Sequence, residues 1–172
     1  VFKATADTAR LQTYFAVSLN TAPGAPFSFD HYGGMPIVVD ATADQSNGSS
    51  NFNASFTTGT NKALLKAKVI TYAEQEFILA EAALKGYISG DPAAYYRSGV
   101  MGAYADGGLD ATAAANYLAH PAVAFDNSSV DASMNQIITQ KWIANINNAF
   151  EGWIEYRRTG FPAFQTGGAA NL

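Results

Sequence analysis

Apolar and polar positions change their rhythm along this chain at about residue 71. From there Ala73, Phe77, Ala80, Leu84 and Tyr87 recur at spacings of four, three, four and three, which places them on one face of a helix. Thr71 and Glu74 form a T-x-x-E capping box at its start, and Ser89-Gly90 supplies a stop. A second helix opens at Asp91-Pro92, an N-cap followed by a proline whose missing N–H costs nothing at the first helical position, and runs to about Tyr104. The short connection predicts an antiparallel helical hairpin. A third helix spans Ala111 to about Ala119, ended by His120-Pro121.

A fourth helix begins near Asp131 and carries Met134, Ile138, Trp142 and Ile146 at spacings of four. After Asn147-Asn148 the pattern resumes with Phe150, Trp153 and Ile154, then stops at Thr159-Gly160 with Pro162 beyond. If that helix continues unbroken, Trp142, Phe150 and Trp153 share one stripe, and a stripe at helical spacing is expected to be core rather than ligand platform. Arg157 and Arg158 in the last turn are expected to complement the negative helix end and to pair with Glu151 or Glu155. The competing reading is a bidentate clamp on a carboxylate or phosphate. Glu81 is placed to pair with Lys85 at i+4.

Residues 16 to 61 read differently. Gly, Pro, Asn, Asp and Ser recur too often for long helices, and alternation is confined to patches such as Met35 to Val39. The fold class is therefore mainly α, with paired helices over residues 71–160 and a loop-rich segment over 1–61. Helix pairs of this size are the unit of tetratricopeptide-like solenoids.

Composition narrows the function. Charged residues are 14% of the chain, against roughly 25% in ordinary soluble domains, while aromatics reach 13%. The net charge is −4, with no Lys or Arg between Arg10 and Lys62 or between Arg97 and Lys141, so the clustered cations that nucleic acid requires are missing. There is no cysteine, hence no disulfide scaffold or thiolate zinc site. No run of about 18 apolar residues would span a membrane. The abrupt Val1-Phe2-Lys3 start suggests a processed or excised piece of a longer protein.

Candidate chemistry is sparse. His31 and His120 stand alone without metal-ligand spacing, and no nucleophile elbow, phosphate loop or dinucleotide fingerprint is present, so neither cofactor nor metal is expected. Glu74, Glu76, Glu81, Glu151 and Glu155 are the carboxylates available for glycosidase-like acid–base work, yet helical Glu at these spacings is usually solvated or paired. "PFSFDHYGG" offers a better contact surface. Phe29, Asp30, His31 and Tyr32, with Phe27 beside them, combine rings that stack on apolar sugar faces with groups that bond hydroxyls, a chemistry suited to neutral glycans. The alternative is that Phe27 and Phe29 alternate inward from a short strand and pin the loop.

"TYAEQEFILAEAALKGY" at 71–87 and "QKWIANINNAFEGWIEYRRTGFP" at 140–162 closely resemble the C-terminal part of SusD/RagB-type nutrient-binding lipoproteins of the bacterial outer membrane. "DTARLQTYF" at 7–15 resembles that family's D-P-R-L-x-x-Y-F segment, with Thr8-Ala9 between the Asp and the Arg. The resemblance implies residues 1–172 as the C-terminal portion of a SusD-like domain, in which a frame of tetratricopeptide-like helix pairs carries less regular glycan-binding segments. It implies non-catalytic glycan capture at the cell surface and delivery to a SusC-like TonB-dependent transporter, with the membrane reached only through a lipid anchor outside this chain. It also implies that the aromatics of residues 140–164 turn into the helix stack. A helical module that docks on the transporter, and a glycoside hydrolase, remain as alternatives.

Overall fold

The structure, a computed structural model, describes residues 1–34, 49–54 and 68–163. The chain forms two compact units, one of residues 2–67 and one of residues 68–172 with Val1.

The smaller unit opens with helix α1 (Thr8–Tyr14), which the loop-rich reading of this segment did not anticipate. Its cap is Asp7, whose carboxylate accepts the Arg10 backbone N–H at 3.2 Å and pairs with Arg10 Nε at 2.5 Å. Both side chains are fully buried, so the Asp and Arg of the "DTARL" stretch hold the helix start from inside. Between α1 and Asn53 the described residues are irregular apart from an antiparallel bridge between Phe15 and Phe52 and a 3-10 turn at Phe29–His31. The alternating patch Met35 to Val39 lies outside the described residues.

The larger unit is helical: α2 (Tyr72–Leu84), α3 (Pro92–Asp106), α4 (Ala111–Leu118), α5 (Val130–Ala144) and α6 (Ala149–Thr159). Four of the five carry a side-chain cap. Thr71 Oγ1 accepts from Glu74 N at 3.0 Å, Asp91 from Ala93 N at 2.9 Å, Asp110 from Ala113 N at 2.7 Å and Ser129 from Ala132 N at 3.0 Å. Gly160 closes α6 in the left-handed region, with φ 76°. α2 and α3 form the expected hairpin, α5 packs against both, α4 lies on α3, and α6 on α5. Among the described residues no helix is long and apolar enough to cross a membrane.

Ala73, Phe77 and Ala80 occupy the core as their spacing requires, joined by Tyr96, Val100 and Tyr104 of α3 and by Ile137, Ile138 and Ile143 of α5. The stripe ends earlier than expected. α2 stops at Leu84, and Gly86 at φ 72° turns the chain away, so Tyr87 is exposed. α3 can approach α2 only because residue 99 has no side chain, since a Cβ there would lie 2.6 Å from the Phe77 ring.

α5 and α6 do not form one continuous rod. A turn at Asn145–Asn148 separates them, and the rotation it introduces divides the aromatic stripe. Trp142 keeps the frame position, lying against Gly152, where a Cβ would sit 3.1 Å from the indole. Phe150 and Trp153 instead face outward, 71% and 52% exposed, with Ile154 beside them. The expectation that this stretch turns wholly into the stack is corrected: it assumed an unbroken helix.

The face of α6 opposite those rings carries charge into the helix stack. Lys141 of α5 is buried between Glu155, at 2.8 Å, and Glu74, at 3.9 Å. Arg158 donates to both oxygens of Glu81 at 2.5 and 2.6 Å and to Glu155 at 2.6 Å, while Lys85 reaches Glu81 at 2.6 Å. The bidentate clamp weighed for the arginine pair thus exists, but it grips the protein's own Glu81. The Arg158–Glu155 and Glu81–Lys85 pairs follow the helical spacing.

Burial alone would raise the Glu81 pKa, but hydrogen bonds from Arg158 and Lys85 and their charges outweigh it and hold the carboxyl near 2 rather than 4.5. A depressed folded-state pKa means stability that is present above pH 4.5 and lost as pH falls toward 2. With Arg158 partly in solvent, screening reduces this to about 1–2 kcal/mol. The melting temperature of the intact chain is expected to fall across that window, and Glu81→Gln is expected to flatten part of the fall. An unchanged slope in Glu81→Gln would remove Glu81 from the acid response.

Candidate functional site

The "PFSFDHYGG" loop is built by local bonds. Ser28 caps the 3-10 turn, its Oγ accepting Asp30 N at 3.2 Å, and Tyr32 N closes the turn on Phe29 O at 3.1 Å. Further bonds tie the loop into its unit. Ser18 N donates to His31 O at 2.8 Å, Ser50 N to Gly33 O at 2.8 Å, and Gly33 N to Ser50 Oγ at 3.3 Å. The loop is therefore anchored on two other segments rather than left as a free flap.

Three of its rings cluster. Phe27 meets Phe29 edge-on, with centroids 5.1 Å apart and planes at 78°, and lies 6.0 Å from Tyr32. Phe27 is 43% exposed, while Phe29, His31 and Tyr32 are half-buried. Phe29 opens the 3-10 turn instead of alternating inward from a strand. Burial raises the Tyr32 phenol pKa, so its hydroxyl stays a neutral donor and acceptor. Asp30 is exposed and takes a hydrogen bond from Lys3 Nζ at 2.7 Å. That bond and the Lys3 charge hold the Asp30 carboxyl below its ordinary range, so it is an acceptor at neutral pH. His31 Nδ1 is buried without a partner among the described residues. The four residues singled out from the sequence thus stand together on one anchored turn.

Sequence reasoning missed a second pair of rings in the same unit. Phe52 stacks on Phe15, with centroids 5.2 Å apart and planes at 18°, and Phe2 meets Phe15 edge-on at 6.0 Å. The only signal was the ring in "NFN", which lacked the neighbouring aromatics that drew notice to the loop. Among the described residues no group of His, Cys, Asp and Glu could hold a metal ion.

Capped antiparallel helix pairs, with a loop-rich unit in the same chain, define a mainly α fold of the helix-pair class. The family model described as "Starch-binding associating with outer membrane" matches residues 6–172, and the chain belongs to this SusD-like family. Its structure is similar to a SusD homologue of Bacteroides fragilis, with a TM-score of 0.81 and 29% identity over 95% of this chain and 39% of that one. A SusD homologue of Bacteroides thetaiotaomicron matches with a TM-score of 0.70 and 25% identity, over 94% of this chain and 36% of that one. A chitin-binding SusD homologue of Flavobacterium johnsoniae shares the fold, at a TM-score of 0.70 and 24% identity over 95% of this chain and 36% of that one. The chain thus spans about two fifths of the length of these structures. No curated protein matches it.

Proposed function

We propose that this chain is the C-terminal portion of a SusD-like protein that captures a neutral oligosaccharide or polysaccharide at the outer-membrane surface without catalysis and passes it to a TonB-dependent transporter. The observation that carries the reading is the ring cluster of Phe27, Phe29 and Tyr32 around Asp30 and His31, anchored in a chain of a starch-binding family. Rings supply faces for the apolar sides of sugars, and the ionised Asp30 and the neutral Tyr32 hydroxyl supply partners for hydroxyl groups. Three of the five helical carboxylates favour binding over hydrolysis, because Glu74, Glu81 and Glu155 are held by cations rather than poised for proton transfer.

Tyr32→Ala is expected to weaken retention of the chain on its polysaccharide in affinity electrophoresis by about tenfold, as loss of one stacked ring and a hydroxyl contact implies. Retention equal to wild type on every polysaccharide that binds would remove the loop from the site.

A second reading is favoured by one observation, the exposed face of Phe150, Trp153 and Ile154 with the Arg157 guanidinium 6.0 Å from the Trp153 ring. Trp, Tyr and Arg are the residues that anchor protein interfaces. On this reading α6 docks on the transporter. Co-purification from outer membranes that survives Trp153→Ser and Phe150→Ser would dismiss it.

A further inference from the structure

Helix α6 is attached to the helical unit in a different way from its neighbours. Of its eleven residues only Gly152 and Glu155 are buried, so the one side chain it sends into the interior is a carboxylate. Its large apolar side chains, Phe150, Trp153 and Ile154, are exposed. By contrast α2 buries Phe77, α3 buries Tyr96, Val100 and Tyr104, and α5 buries Ile137, Ile138 and Ile143. Burial of an apolar face is what normally holds a helix to its domain. α6 offers the bare backbone of Gly152 to the Trp142 indole instead.

Charge supplies the hold that apolar burial does not. Arg158 of α6 grips both oxygens of Glu81 on α2, and Lys141 of α5 reaches Glu155 from below. The Arg158 side chain is 40% exposed, so its clamp sits at an edge where water can replace each bond as the helix moves off. The start of α6 is suited to such a movement. Asn148 makes no side-chain cap bond, and a single turn, with Asn148 N donating to Asn145 O at 2.7 Å, joins α6 to α5. A segment with few buried apolar groups, closed by bonds at the edge of water, opens at lower free energy than the core it lies on.

We propose that α6 is a strap closed by an ionic clasp. It swings out on the Asn145–Asn148 turn and closes again while α2, α3, α4 and α5 stay folded, and the Arg158–Glu81 clamp sets how often it opens. In the open form Arg158, Glu81 and Glu155 are hydrated, while Lys141 keeps Glu74 as its counter-ion. Phe150 and Trp153 take no part in closure, because they already face water when the strap is shut. The device is independent of glycan capture by the loop.

Hydrogen exchange of the intact chain at neutral pH, followed by mass spectrometry, reads the openings helix by helix. The intrahelical amides of α6 are expected to exchange at least tenfold faster than those of α2 and α3, after correction for their intrinsic rates. Arg158→Gln is expected to speed α6 about five- to tenfold further and to leave α2 and α3 within twofold of wild type. Glu81→Gln removes the other half of the clamp, should speed α6 in the same selective way, and carries the test if Arg158→Gln does not fold. The double variant Phe150→Ser with Trp153→Ser should leave the α6 rate unchanged, which it would not do if the rings held the helix. Exchange of α6 in step with α2 and α3 overturns the strap, as does a clamp variant that speeds all helices alike. Faster α6 exchange in the ring variant, equal to that in the clamp variants, overturns the ionic clasp.

Discussion

Lys141→Ala is expected to destabilise the helical unit by about 3–5 kcal/mol, the cost of leaving buried carboxylates without their cation. Lys141 Nζ sits 2.8 Å from Glu155 and 3.9 Å from Glu74, and all three residues are buried. Removing the ammonium leaves negative charge facing negative charge in a poorly solvated space. Arg158 cannot compensate fully, because it is already shared between Glu81 and Glu155. A domain stable by about 5–15 kcal/mol is brought close to unfolding by a loss of this size. Urea unfolding monitored by circular dichroism measures it. Lys141→Met combined with Glu155→Gln removes both charges while keeping bulk, and is expected to recover most of the loss. A double variant as unstable as Lys141→Ala would show that the unpaired Glu155 charge is not the source of the loss, since the bulk is kept.

The second large effect concerns the crossing of α2 and α3. Phe77 is fully buried, and truncation to alanine in a close-packed site of this kind costs about 3–5 kcal/mol from lost transfer energy and the remaining cavity. Gly99→Ala fails from the other direction. The added Cβ would lie 2.6 Å from a ring that is itself walled in, so either the ring or the helix must shift, at about 1–3 kcal/mol. The two changes are expected to be non-additive. Gly99→Ala in a Phe77→Leu background should cost less than in the wild type, because the smaller side chain makes room for the methyl group. Equal penalties in both backgrounds, read from the same urea curves, would show that the two positions do not share the space.

Much of the helical unit was legible because its signals are local. Thr71, Asp91-Pro92 and Thr159-Gly160 mark helix ends through contacts within a turn of the backbone, and each mark falls within a residue or so of the observed boundary. The buried face of α2 was readable for three of its five positions, up to the point where Gly86 redirects the chain. α1 escaped notice because it spans only Thr8–Tyr14 and its cap is an ion pair rather than an apolar stripe. In the candidate site, the Phe29-to-Tyr32 group drew notice because its rings and polar groups are adjacent in sequence. Phe52 did not, because its meaning comes from Phe15, across the antiparallel bridge.

The order of amino acids was by itself enough to decide helix positions, caps and the α2–α3 hairpin, since spacings of three and four and the residues at helix ends act over a few bonds. Tertiary structure alone decided which way Trp153 and Phe150 face, because the change of direction at the Asn145–Asn148 turn is not encoded in any periodicity of α5 or α6. It also decided that Arg158 would close on Glu81, 77 residues away, a pairing that exists only once α2 and α6 have been brought together by packing. Short-range spacing specifies the face a helix offers, and only the assembled stack determines whether that face meets a neighbour or water.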